Sequence, residues 1–127
     1  MEISYGIVLY RKAAKGLEVL LVHPSGESNK KQPFSIPKGK ANEGESGKDA
    51  CVRETFEETG IEVKEKDLKF LGESFYPSGK KKVIAYMLET KEEPSDELSW
   101  EVDQAKFFSL EDAADKIHRG QVALLEQ

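Results

Sequence analysis

The stretch "GKANEGESGKDACVRETFEETG", residues 39–60, holds five glutamates, one arginine and four glycines. Glu-rich segments are ordinarily solvated helices, and the competing reading is a set of carboxylates spaced to hold metal ions against a phosphate chain. Helix signals begin near Gly44 and run to Gly60, a residue suited to ending a helix. A helix turns about 100° per residue, so spacings of three and four share a face. Glu54, Glu57 and Glu58 therefore line one side of a helix over 46–60. Val52 and Phe56 fall on the opposite side and are expected to anchor it to the core. Arg53 lies four residues before Glu57, beside the acidic stripe. Like charges on adjacent turns repel by a few tenths of a kcal/mol per pair even when exposed. A hard cation relieves that repulsion, and magnesium takes oxygen ligands while bridging carboxylates to phosphates.

The rest of the composition sets bounds. A chain of 127 residues is one domain of ordinary size, able to bury a single core. With 38% apolar and 34% charged residues it is too apolar for a disordered chain. No apolar run approaches the roughly 20 residues of a membrane span. "MEISYGIVLY" has no basic segment ahead of its apolar one, so no signal peptide is expected. Cys51 is the only cysteine, which excludes an internal disulfide framework and fits the cytoplasm. A net charge of -5 argues against a stable nucleic-acid complex. Positive charge is nonetheless clustered in "NKK" 29–31, "PKGK" 37–40 and "GKKK" 79–82, which suits a phosphorylated small molecule.

Along the chain, "YGIVLYR" and "LEVLLVH" read as two strands with Gly16 in the turn. "PSGESNKKQPF" is a loop, and "FSI" is an extended piece ending at Pro37. "LKFLGESFY" and "KVIAYMLET" are strands joined by "PSGK"; "KEEPSDELS" is an acidic loop; "AKFFSL" is a short strand. Ser109 with Asp112 resembles a capping box opening a last helix that breaks near Gly120. The expected class is α/β, a mixed sheet with helices on its faces.

Gly39, Glu45, Arg53-Glu54, Glu57-Glu58 and Gly60 reproduce G-x5-E-x7-R-E-U-x-E-E-x-G-U, with U a bulky apolar residue and Ile61 as the last. Chance agreement at seven fixed positions is far rarer than about one in a million windows. The pattern resembles the Nudix box, with one departure, Thr55 at the first U. The resemblance implies a single Nudix hydrolase domain over residues 1–127, an α/β/α sandwich. It also implies hydrolysis of a nucleoside diphosphate linked to another moiety, with magnesium or manganese. By position, Glu57 and Glu58 would be the principal metal ligands, helped by the Gly39 carbonyl. Glu54 would ligate metal or orient the attacking water, Arg53 would hold Glu54 by an ion pair, and Glu45 would brace the loop or reach metal through water. Metal-bound water is the better nucleophile at neutral pH, and the same cations screen a diphosphate.

Outside the box the likeness is to the diadenosine tetraphosphate hydrolase group, carried by "PKG", "GKKKVIAYMLE" and "WEVDQAKFFSLEDA". It implies Lys38 on a phosphate, Lys81 or Lys82 on distal phosphates, Tyr86 stacking on a base, and Glu101 near the metals. Each has a plain alternative: Lys81, Lys82 and Glu101 as solvated charges, Tyr86 as packing. Phe107 and Phe108 face opposite ways in a strand, one to the core and one free for a base. His23 and His118 are too few for a zinc site and read as ordinary surface or boundary residues, and Cys51 reads as buried. The substrate alternatives are nucleoside triphosphates, nucleotide sugars or 5′-RNA ends. A different class, a non-catalytic nucleotide-binding regulator on the same fold, is disfavoured because every box carboxylate is present.

Overall fold

The computed structural model describes residues 1–95 and 101–125. The two apolar runs at the start form strands β1 (Glu2–Ala13) and β2 (Gly16–Pro24). They pair antiparallel from Tyr10↔Val19 to Ala13↔Gly16, and Gly16 turns the chain at φ 130°. There follow β3 (Lys38–Gly39), α1 (Gly47–Thr59), β4 (Lys69–Phe75), β5 (Lys81–Glu89), β6 (Val102–Ser109), α2 (Leu110–Lys116) and α3 (Val122–Leu125). The sheet runs β4-β5-β1-β2-β6, with β3 also on β1. β1 pairs parallel with β5 along Glu2–Tyr10, whereas the other pairings are antiparallel.

Alternation along β1 assigns the layers, because successive side chains of a strand point to opposite faces. Ile7 and Leu9 join Leu20, Cys51 and Ile61 beneath α1. Val8 joins Val19, Leu21, Val83 and Ala85 on the other face, under Ala113 of α2 and Leu124 of α3. Helices therefore cover both faces, and the α/β/α sandwich is the observed architecture. No described helix is long and apolar enough to cross a membrane.

Helix α1 is capped where the sequence invites it. Ser46 Oγ accepts from the Asp49 N–H at 3.1 Å, and Gly60 closes the helix at φ 79°, its N–H donating to the Phe56 carbonyl. The expectation for its apolar side is corrected. Phe56 is 50% exposed, and the buried residues are Ala50, Cys51, Thr55, Glu58 and Thr59. Positions 51, 55, 58 and 59 make one stripe, so the helix turns part of its acidic side toward the sheet; Val52 packs only at the margin. Thr55, the departure from the box, is fully buried and its Oγ1 has no hydrogen-bond partner. A buried unpaired hydroxyl costs roughly 1–3 kcal/mol. Thr55→Val is therefore expected to raise unfolding free energy by about 1 kcal/mol in urea titrations without moving kcat.

Two boundaries also differ from expectation. The extended path does not stop at Pro37, because β3 continues it and pairs Lys38 with Gly6 and Gly39 with Tyr5. Pro37 needs no donor there, since its carbonyl accepts from Ile7 N at 3.2 Å. The capping box at Ser109 is present, its Oγ accepting from Asp112 N at 3.1 Å, but α2 ends at Lys116. Ile117 there turns extended and bridges to Phe34. The acidic loop is described only through Ser95; its remainder and Trp100 lie outside the described residues.

Candidate active site

Arg53 organises the acidic helix. Its Nε and Nη2 donate to the two oxygens of Glu45 at 2.9 and 3.0 Å. Nη1 reaches Glu54 Oε1 at 2.9 Å and the Glu57 carboxylate at 3.4 Å, while Nη2 also reaches the Lys40 carbonyl at 3.0 Å. Glu45 in turn accepts from the Asn42 N–H at 2.9 Å, closing the loop before the helix. The Arg53 bond first, then the Asn42 N–H, holds the Glu45 carboxyl below its ordinary range. Reciprocally, the Glu45 and then Glu54 carboxylates raise the Arg53 pKa against the effect of burial.

Glu54 and Glu58, one helical turn apart, are brought together. Glu58 is only 8% exposed, and its carboxyl is pushed up to about 9, by burial first and then by hydrogen bonding and repulsion from Glu54; Lys38 opposes the shift. Gly39 packs directly on the Glu54 carboxyl, and a Cβ at that position would overlap it. Only a glycine lets the backbone come this close. Glu57 points outward, its side chain 42% exposed and tied to Arg53. Among the described residues no three ligand side chains converge on one point. Two carboxyls forced together beside the Gly39 backbone fit a divalent cation; Glu57 would have to leave Arg53 to join them.

Glu58 lines a cleft of about 470 Å³ together with Lys38, Lys81, Glu101, Tyr76 and His118. Lys38 comes from β3, Lys81 from the start of β5, and Glu101 from the entry to β6. Alternation separates the two β5 lysines. Lys81 shares the face of Val83 and Ala85, whereas Lys82 lies on the α1 face, 2.6 Å from Glu73 Oε1. Tyr86 also lies on the α1 face, edge-on to Phe70 at 6.0 Å, and does not line the cleft. Phe108 is core; Phe107 has the Arg11 guanidinium 3.9 Å over its ring, so neither presents a bare face to a base.

The aromatic wall of the cleft is one the sequence reading missed. Tyr76 stacks on His118 with centroids 4.5 Å apart. The His118 pKa is lowered by burial and by the charges of Lys38 and Lys81, and its Nδ1 accepts from the Gly120 N–H at 2.9 Å. His118 is half-buried, as a boundary residue is, whereas the reading of His23 as a surface or boundary residue is corrected. His23 is buried, with ring nitrogens 2.9 Å from Asp103 Oδ1 and from the Gln32 carbonyl. The only usable signal for Tyr76 was its place beside the "PSGK" turn. Cys51 is buried as expected, its thiol pushed up to about 12 by desolvation.

Comparison with known proteins meets this geometry. The NUDIX domain family matches residues 2–127. The asymmetrical bis(5'-nucleosyl)-tetraphosphatase of Caenorhabditis elegans is 37% identical over 112 residues, covering 85% of this chain and 79% of that protein. A crystal structure of a C. elegans Ap4A hydrolase binary complex aligns with TM-score 0.79 at 30% identity, covering 99% of this chain and 93% of that one. The NUDIX domain of Shewanella oneidensis NrtR, complexed with ADP ribose, reaches TM-score 0.79 at 19% identity, over 99% and 84% of the two chains, and shares the fold alone. The box with all its carboxylates, an α/β/α sandwich and these relatives agree: the chain belongs to the NUDIX domain family and is a Nudix hydrolase.

Proposed function

We propose that this Nudix hydrolase cleaves dinucleoside polyphosphates, splitting diadenosine tetraphosphate into ATP and AMP. One observation carries the reading: Lys38, Lys81, Glu58 and Glu101 line a single cleft together with the stacked pair Tyr76 and His118. That arrangement pairs phosphate-binding cations with metal-binding carboxylates and a surface for a base. Glu54 and Glu58, with Glu57 and the Gly39 carbonyl, would hold magnesium or manganese, the divalent ions Nudix hydrolases generally need. When bound, such a cation supplies a more acidic water and screens the phosphate charge. Arg53 keeps Glu54 oriented, Glu45 fixes Arg53, and Glu101 lines the same cleft. Lys38 and Lys81 bind the phosphate chain. Tyr76 and His118 take over the base-contacting role first given to Tyr86, and Lys82, engaged by Glu73, stays outside. The likeness to the tetraphosphatase of C. elegans supports the same substrate class.

Product analysis with diadenosine tetraphosphate, dNTPs, nucleotide sugars and 5′-triphosphorylated RNA tests the proposal. Diadenosine tetraphosphate should show the highest kcat/KM and release ATP and AMP; turnover no faster than that of dNTPs would refute it. In the same assay Lys81→Ala should raise KM about tenfold, the loss of one charged hydrogen bond. Lys82→Ala should change KM less than about twofold, because exposed ion pairs contribute little. Equal effects would mean that both lysines reach the phosphates.

A further inference from the structure

Gln121 is fully buried in the turn before α3 and borders the same cleft as Tyr76 and His118. Its two amide ends join distant parts of the site. Oε1 lies 3.0 Å from the backbone nitrogen of Ile36, two residues ahead of Lys38. Nε2 lies 2.9 Å from the Tyr76 hydroxyl oxygen. The orientation of a side-chain amide must be inferred from its partners, and here the partners decide it. A backbone N–H can only donate, so the Gln121 carbonyl oxygen must face Ile36. The NH₂ group, which has no acceptor capacity, therefore faces Tyr76. The Tyr76 oxygen consequently accepts, and its own proton is directed away from Gln121. No acceptor among the described residues takes that proton, and Tyr76 lines the cleft with Lys38 and Lys81.

We infer that the Tyr76 hydroxyl donates a hydrogen bond to an anionic oxygen of the substrate's phosphate chain, and that Gln121 is the positioning residue that fixes its direction. The relay runs Ile36 N–H to Gln121 to Tyr76 to substrate. It ties the segment that presents Lys38 and Gly39 to the aromatic wall opposite. Ser74 Oγ donates to the Gly120 carbonyl beside it and pins the turn that carries Gln121 to β4. Donation to a phosphate oxygen is the stronger use of this hydroxyl, because bonds to charged acceptors are about twice as strong as neutral ones. The inference rests on the proposed use of this cleft for phosphates, but not on the identity of the nucleoside.

The test uses inorganic tripolyphosphate, which carries a phosphate chain and no base, with calorimetric binding to the full chain. Turnover of diadenosine tetraphosphate is measured in parallel. Tyr76→Phe keeps the ring and removes only the hydroxyl, and should weaken tripolyphosphate about tenfold. In turnover it should raise KM with kcat nearly unchanged, as expected when ground state and transition state lose the same contact. Gln121→Met should weaken binding in the parent but add nothing in the Tyr76→Phe background, because its effect passes through the hydroxyl. A purely structural Gln121 would weaken both backgrounds equally, which overturns the relay. Unchanged tripolyphosphate binding in Tyr76→Phe overturns the donor itself, and suffices should Gln121→Met fail to fold. Absent turnover of diadenosine tetraphosphate with the tripolyphosphate pattern intact would sink the substrate proposal and leave the relay standing.

Discussion

Glu58→Gln is expected to make the metal-free protein more stable and nearly inactive. The carboxyl of Glu58 stands at about 9 because burial and Glu54 both disfavour its charge. A carboxyl whose pKa is raised on folding binds its proton more tightly in the native state than in the unfolded one. Native stability then falls as pH rises from the ordinary carboxylate value, 4.5, toward about 9. The glutamine variant escapes that fall. At pH 8 without divalent ions it should exceed the parent by on the order of 2 kcal/mol, and near pH 4.5 the two should converge. Magnesium should raise the parent's Tm at pH 8 and leave the variant's unmoved, since a ligand that binds the native state stabilises it by mass action. Turnover should drop about a thousandfold, as for loss of a principal charge-stabilising group. The Glu57→Gln, Glu58→Gln double variant should fall no less. Equal stability of parent and Glu58→Gln at pH 8, or turnover within tenfold, would contradict this account of the site.

Arg53 is the second position of large effect. Its guanidinium serves Glu45, Glu54, Glu57 and the Lys40 carbonyl at once. Arg53→Ala leaves the loop carboxylate of Glu45 and the site carboxylate of Glu54 without their shared cation. We expect a stability loss of about 2 kcal/mol, modest because the group is part-exposed, and a kcat loss of about a hundredfold. Arg53→Lys should recover little of either, because a single ammonium cannot reproduce a planar fork with donors in several directions. Urea midpoints and initial rates for the two variants decide it; a lysine variant close to the parent would mean that charge alone is needed.

The box from Gly39 to Gly60 was legible because its information is local. Helical spacing puts Arg53 beside Glu57, and Gly60 marks the end of the helix. Local spacing could not tell which side of the helix faces the sheet. Counting from the glutamates sent Phe56 inward, whereas the sheet receives the stripe of Cys51, Thr55, Glu58 and Thr59. The same limit separates Lys81 from Lys82. Alternation puts them on opposite faces, but which face holds the cleft depends on Tyr76, His118 and Gln121 arriving from two other segments. Those three carry no spacing relation to the box. Tyr86 came from the resemblance to the diadenosine tetraphosphate hydrolase group, whereas the residue that lines the cleft is Tyr76, in the turn before that strand.

The central strand has a consequence for synthesis. β1 is made well before β5, yet the partner along most of its length is β5, at residues 81–89. A ribosome adding about 5–20 residues per second leaves Ile7, Val8 and Leu9 waiting several seconds for that neighbour. Pairings so distant along the chain also close slowly. During that interval the described partners open to β1 are the hairpin with β2 and the short pairing with β3. The carboxylates of α1 emerge before the sheet that will bury Glu58 is complete, so their close approach is imposed late, when β5 slides in beside β1.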